Sequence, residues 1–145
     1  MGIEFKDNGV CVVPAGTYWL CDPCTLVLGS HWADFCDSIN SGTPVGKVAG
    51  HEILALATGC GDGEYEASIA GWTIGVDSGL IGLVPAEYVD EFNVLRDNNI
   101  APEQHVVAFA EPTPCFSVDG VLSFGEIVVD TSGGDECDCD CGCCW

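Results

Sequence analysis

Hydrophobic and polar positions alternate in short runs along most of the chain, and glycine, proline or aspartate separates one run from the next. Residues 64–69 give the clearest case, because positions 65, 67 and 69 are apolar and the positions between them are polar. This alternation predicts a half-buried antiparallel strand. Residues 51–57 are apolar almost without interruption, which predicts a central strand covered on both faces.

The same patterns place further strands and one clear helix. Strands are predicted at residues 10–13, 17–21, 25–28, 72–76, 80–84, 104–110, 115–118 and 121–129. Asp119-Gly120 is a two-residue hairpin signal, and the Gly-, Pro- and Ser-rich residues 40–50 predict a loop. Apolar residues three and four apart predict a helix over residues 30–39 with Ser30 as its N-cap, and Pro85 predicts a further turn of helix over residues 86–89.

Many short strands with one convincing helix indicate a mainly β fold, either an antiparallel sandwich or a partly open barrel. The helix is expected to pack on a face or an end of the sheets. Length and composition predict a single β-rich domain over residues 1–130. Residues 131–145 are expected to form a Gly/Ser linker and a flexible, acidic, cysteine-rich tail.

Charge is the most unusual property of the composition. Three Lys and Arg residues stand against 23 Asp and Glu residues, for a formal net charge of −20. Direct binding to nucleic acid or to an anionic membrane needs clustered cations, so both are excluded. The charge favours a basic protein partner, although a surface adapted to a high-salt environment would have the same composition.

No run of apolar residues is long enough for a membrane helix, and the amino terminus does not resemble a secretory signal. A cytoplasmic location is therefore expected, or a place in the virion if a phage encodes the protein. The odd count of 11 cysteines fits this expectation, because it argues against a closed disulfide framework. Six of them are spread through the body of the chain, where a reduced cysteine usually behaves as a small buried hydrophobic residue.

The other five cysteines lie within the last nine residues: Cys137, Cys139, Cys141, Cys143 and Cys144. In an extended segment, the first four of these would point to one side. Thiolates select Zn²⁺ or Cu⁺, and Cys-x-Cys spacing suits a thiolate cluster better than a single zinc site. A reduced, disordered tail and a tail held by disulfides to Cys21, Cys24 or Cys115 are the alternatives.

Two weaker metal or redox candidates lie in turns. Cys21 and Cys24 have Cys-x-x-Cys spacing, but β-prone runs flank Pro23, so a strand-end turn is favoured over a thioredoxin-like site. Asp22 and Asp77 would bind a hard cation or act as paired carboxylates if the strands bring them together. The alternative is that each bonds to its own backbone, as aspartate in a turn usually does.

Several short motifs carry a resemblance over roughly the first 90 residues. They are Cys21-Asp22-Pro23 and Gly75-Val76-Asp77-Ser78-Gly79, each preceded by a Gly-containing turn and a Tyr. In these motifs the chain resembles small bacterial and phage-encoded proteins of unknown function that carry Cys-Asp-Pro and Gly-Val-Asp-Ala-Gly. The resemblance implies a shared type of fold and supplies no mechanism.

Three functions are consistent with the sequence, and none of the motifs favours an enzyme. The first is an acidic binding protein, such as an immunity protein or a phage-type inhibitor, that occupies a basic protein partner. The second is a metal-binding protein that sequesters Zn²⁺ or Cu⁺ through its terminal cysteines. The third is a virion or assembly component that is crosslinked through its tail. The oligomeric state does not follow from the sequence.

Overall fold

The structure, a computed structural model, describes residues 2–6, 9–27, 30–39, 44–59, 63–69, 71–76, 79–91 and 106–131. The strands in chain order are β1 (Glu4–Phe5), β2 (Cys11–Val13), β3 (Gly16–Cys21), β4 (Val45–Val48), β5 (His51–Ala57), β6 (Gly63–Glu66), β7 (Thr73–Val76), β8 (Leu80–Pro85), β9 (Val106–Phe109), β10 (Thr113–Val118), β11 (Val121–Phe124) and β12 (Ile127–Asp130). The helices are a 3₁₀ helix (Pro23–Thr25), α1 (Ser30–Ile39) and α2 (Ala86–Glu91).

Every strand pairing in this part of the chain is antiparallel. The outer sheet has the order β1-β2-β10-β11-β12, the central sheet has the order β4-β5-β8-β3-β9, and β6 and β7 form a small third sheet. The mainly β prediction is confirmed, and the described strands do not close into a barrel.

The central sheet is covered on both faces. One face packs against the outer and small sheets in a core whose fully buried members are Cys11, Val13, Leu20, Leu54, Ile81, Leu83, Cys115, Leu122, Phe124 and Val129. The other face packs against the helices in a second core that includes Leu26, Val27, Phe35, Ile53, Val84, Tyr88 and Val89. Successive side chains of a strand point to opposite faces, so strands in this position must be apolar throughout.

Strand β5 follows this rule and confirms the prediction of a doubly covered strand. Ile53 and Ala55 face the helices, while Leu54 and Leu56 face the outer sheet. Each is 5% exposed or less. β5 pairs with β4 on one side and with β8 on the other, so its backbone is also enclosed.

Helix α1 has the predicted bounds and lies on β4. Phe35 is fully buried, while Trp32 and Ile39 are partly buried against the same core. Trp32 stacks on Phe35 with ring centroids 5.3 Å apart. The Ser38 hydroxyl accepts a hydrogen bond of 2.9 Å from the Lys47 amide, which joins the end of the helix to β4.

Three local predictions are wrong, and each error has a physical cause. Residues 25–28 were expected to form a strand, but Pro23–Thr25 is a 3₁₀ helix followed by a turn, because Asp22 caps it and proline suits its first position. The expected loop at residues 40–50 contains β4, which a turn at Ala49 and Gly50, both with positive φ, joins to β5. Ile69 was expected on a buried face but is 36% exposed, because the chain bends after a single bridge at Ala67.

The hairpin at Asp119 and Gly120 is confirmed, since both residues have the positive φ that a two-residue turn requires. The predicted single strand over residues 121–129, however, is two strands. Gly125, with a φ of 68°, turns the chain back between β11 and β12. Apolar alternation continues on both sides of this glycine, so the pattern alone gives no sign of the break.

Candidate functional site

The Cys-x-x-Cys segment is a capped turn at the end of β3. Asp22 is 1% exposed, and its Oδ1 accepts a 3.0 Å hydrogen bond from the Cys24 amide. Pro23 occupies the first position of the 3₁₀ helix. Asp22 therefore bonds to the backbone of its own turn, which is the ordinary role of aspartate in such a position.

The Cys21 thiol is unsuited to nucleophilic chemistry. It is 4% exposed, and burial raises its pKa far above the ordinary range, with Asp22 and Cys24 adding to the effect. Its Sγ lies 3.9 Å from the carbonyl oxygen of Trp19. Reactive dithiol sites lower the thiol pKa at the amino end of an α-helix, whereas here a three-residue 3₁₀ helix follows. The geometry opposes a thioredoxin-like role.

Cys11 and Cys115 are directly opposite each other on β2 and β10, and both are fully buried. Burial raises the pKa of both thiols, and that of Cys115 reaches about 12 with a further contribution from Cys11. The Pro114 carbonyl accepts a hydrogen bond from the Gly125 amide of the neighbouring hairpin, so the backbone N–H and C=O of Cys115, the next residue, point toward β2. Cys11 and Cys115 are therefore a hydrogen-bonded pair of the antiparallel ladder, and the side chains of such a pair are farther apart than those of a non-hydrogen-bonded pair. These cysteines are core residues, as was expected of cysteines in the body of the chain.

The metal predictions fall mainly on residues outside the described part. The tail cysteines Cys137, Cys139, Cys141, Cys143 and Cys144 lie there, as does Asp77. The proposed pairing of Asp22 with Asp77 is therefore still a prediction. Among the residues that the structure describes, no three His, Cys, Asp or Glu side chains are grouped so that they could hold a metal ion.

A cluster that the sequence did not predict joins α2 to α1 and β5. His31 Nδ1 on α1 is 2.8 Å from the hydroxyl oxygen of Tyr88, which is only 1% exposed. On the other side, the ring of His51 contacts Tyr88 edge-on, with centroids 5.6 Å apart. His51 Nε2 is 3.0 Å from Glu91 Oε1, and its Nδ1 is 4.0 Å from Glu87 Oε1.

An open cleft of about 540 Å³ lies beside this cluster, and its wall includes Tyr18, His51, Glu52 and Glu87. Its polar groups are largely engaged with the protein itself. The Tyr18 hydroxyl donates to the Pro14 carbonyl at 2.6 Å, and burial raises its pKa to about 12. Glu52 accepts a hydrogen bond from the Ile3 amide. The described lining has no Ser or Cys, and its one aliphatic hydroxyl is that of Thr17.

The exposed charges of the described residues are nearly all negative. On the side of the molecule formed by α1 and α2, which we call the helical side, the exposed carboxylates are Asp34, Asp37, Glu87, Asp90 and Glu91. Elsewhere they are Glu4, Glu64, Glu66, Glu111, Asp119, Glu126 and Asp130. The cations in the described ranges are Lys6, which pairs with Glu4 at 2.9 Å, and the exposed Lys47.

No protein-family model, curated protein or solved structure matches the chain. None of the described helices is long and apolar enough to cross a membrane. Function must therefore be inferred from the charges and side chains themselves.

Proposed function

We propose that this chain is a non-enzymatic binding protein that occupies a basic protein partner. The observation that carries the proposal is the sign of its exposed charge, because carboxylates lie on the helical side, on the small sheet and on the outer sheet alike. Lys6 is neutralised by Glu4, so it contributes little opposing field. The chemistry suits an immunity protein or a phage-type inhibitor that covers the cationic surface of its target.

The physical basis is long-range electrostatic attraction. A surface of one sign concentrates partners of the other sign and raises association rates by one to three orders of magnitude. The same field repels nucleic acids and anionic membranes, so it selects among classes of partner. Such steering weakens beyond roughly 8 Å at physiological ionic strength, and the final affinity depends on close contacts.

Calorimetric titration with two synthetic peptides of equal length tests this function. One alternates Ser with Lys, and the other alternates Ser with Glu. At roughly physiological ionic strength we expect saturable binding of the basic peptide alone, because only its charge complements the protein. Absence of binding to the basic peptide, or equal binding of the two, would overturn the proposal.

The sequence of the tail favours a second function, the binding of Zn²⁺ or Cu⁺ by its clustered cysteines. Neighbouring carboxylates disfavour a metal-free thiolate, and a bound cation reverses that effect. Elemental analysis of protein purified without chelator, next to a chain that ends at Gly134, is the test. We expect metal in the full chain alone, and equal metal content in the two would end this hypothesis.

A further inference from the structure

The outer sheet presents an apolar surface on the face that points away from the core. Its register places the side chains of directly paired residues on the same face. Val12 pairs with Pro114, Phe116 with Ser123, Ser123 with Val128, and Val118 with Val121. Cys11, Cys115, Leu122 and Val129 are buried on the inward face of the sheet, so the residues of the four pairs just named point outward.

Two of these outward residues are among the most exposed large hydrophobic side chains in the described part of the chain. Val118 is 56% exposed and Val128 is 36% exposed. Phe116, Val12 and Val121 are partly exposed on the same face. The solvent face of an antiparallel sheet normally carries polar side chains, and a contiguous apolar patch there marks an interaction site. We call this set the outer apolar face.

Carboxylates surround the outer apolar face. Glu4 pairs with Val12 at one edge and Asp130 pairs with Val121 at the other, so both point outward. Asp119 follows Val118 at one hairpin tip, and Glu126 lies at the other tip. An apolar centre with a polar rim is the usual anatomy of a protein interface. Lys6 pairs with Glu4 at the first edge, so the net negative charge of this rim comes from Asp119, Glu126 and Asp130.

We propose that the outer apolar face docks a protein surface whose apolar centre is bordered by Lys or Arg side chains. This inference rests on the proposed function and identifies the contact surface for that basic partner. A second copy of the chain would bring like-charged rims together at a net charge of −20 on each molecule, which disfavours self-association. Charge complementarity therefore selects a basic occupant.

The dimensions of the sheet fit a docking centre. Five strands about 4.8 Å apart span roughly 19 Å, and strands of two to six residues extend about 7–20 Å, which gives a few hundred Å² at most. A standard interface covers about 800 Å² on each partner, so the rim must also take part. The helical side is acidic too, but its large apolar side chains Phe35, Tyr88 and Val89 point inward. That side contributes to the field and has no comparable apolar centre.

The test compares two basic peptides of equal length and charge, one alternating Leu with Lys and the other Ser with Lys. The variants are Val118→Ser and Val128→Ser. Val106→Ser is the matched control, because Val106 is 43% exposed but lies on β9 at the edge of the central sheet. All three positions are on the surface, so the variants should fold, and denaturant unfolding verifies this.

We expect the parent chain to bind the Leu/Lys peptide about tenfold more tightly than the Ser/Lys peptide. Val118→Ser and Val128→Ser should each weaken Leu/Lys binding about threefold to tenfold, while Val106→Ser leaves it unchanged. Equal binding of the two peptides by the parent chain, or an equal effect of all three substitutions, would overturn the docking surface while leaving the proposed function intact. If the parent chain binds neither peptide, the result would instead contradict the proposed function.

Two other occupants would also give distinct results. If a second copy covers the face, sedimentation will show a dimer that Val118→Ser dissociates. If the tail of the same chain covers it, a chain ending at Gly134 will bind the Leu/Lys peptide more tightly than the full chain does. Either result would overturn the assignment of a basic partner to this face.

Discussion

The ring of Phe35 on α1 occupies the space in which a side chain at Gly46 of β4 would lie. A β-carbon at Gly46 would stand 2.3 Å from Cε1 and 2.5 Å from Cδ1 of Phe35, well inside van der Waals contact. Phe35 is fully buried, so its ring has little space into which it can move. The close approach of the helix to the sheet therefore depends on a glycine.

Gly46→Ala is expected to destabilise the fold by about 1–3 kcal/mol, the typical cost of overpacking a core. Gly75→Ala is the matched control, because Gly75 is also in a strand and a β-carbon there would meet no atom within 4 Å. Denaturant unfolding of the two variants gives the comparison. If Gly46→Ala is no more harmful than Gly75→Ala, the tight packing of α1 on β4 is wrong.

Tyr88→Phe removes the hydroxyl that joins α2 to His31 and keeps the buried ring. We expect a loss of about 1 kcal/mol in the free energy of unfolding, the usual net value of one hydrogen bond. Combining it with His31→Ala in a double-mutant cycle isolates the interaction between the two side chains. Additive effects of the two substitutions would mean that this hydrogen bond does not link the helices.

The buried thiol of Cys115 makes stability depend on alkaline pH. In the folded chain its pKa is about 12, because of burial and of the neighbouring Cys11. An unfolded thiol ionises near pH 8.5, so between that pH and 12 only the unfolded chain releases the proton. The stability that this group contributes is complete below about pH 8.5 and is lost as pH rises, by up to roughly 1.4 kcal/mol per pH unit.

Cys115→Ala should therefore show a shallower fall in unfolding free energy above about pH 9 than the parent chain does. Val13→Ala serves as the control, because Val13 is also fully buried in the same sheet and does not ionise. It should lower stability at every pH and keep the slope of the parent. Identical slopes in all three proteins would contradict the burial of the Cys115 thiol.

Patterns within one element were sufficient to predict the parts of the fold whose signals are local. Apolar residues three and four apart predict the bounds of α1, and the nearly uninterrupted apolar run of β5 predicts that this strand lies between two layers. The 3₁₀ helix after Asp22 was also predictable, since aspartate before proline is a capping signal. The break at Gly125 was harder to predict, because an isolated glycine also occurs inside continuous strands.

Features that depend on strand pairing could not be predicted in the same way. The His51 ring contacts the carboxylate of Glu91, which lies forty positions later in the sequence, and nothing within either segment indicates this contact. The outer apolar face likewise arises from register, because Phe116 and Val118 resemble core residues until Cys115 is known to point inward. A shift of one residue would exchange the two faces. The charge of the surface, in contrast, follows from composition alone.

The most direct test of the central claim, that negative charge brings this protein to a basic partner, is the association rate constant as a function of ionic strength. Stopped-flow mixing with the Leu/Lys peptide provides it for the parent chain and for a variant with Asp119→Asn, Glu126→Gln and Asp130→Asn. We predict that the rate constant of the parent falls steeply as salt rises, while the neutralised variant starts lower and depends less on salt. A rate constant that does not change with salt would contradict the central claim, and equal rate constants in the two proteins would contradict the part that the rim plays in it.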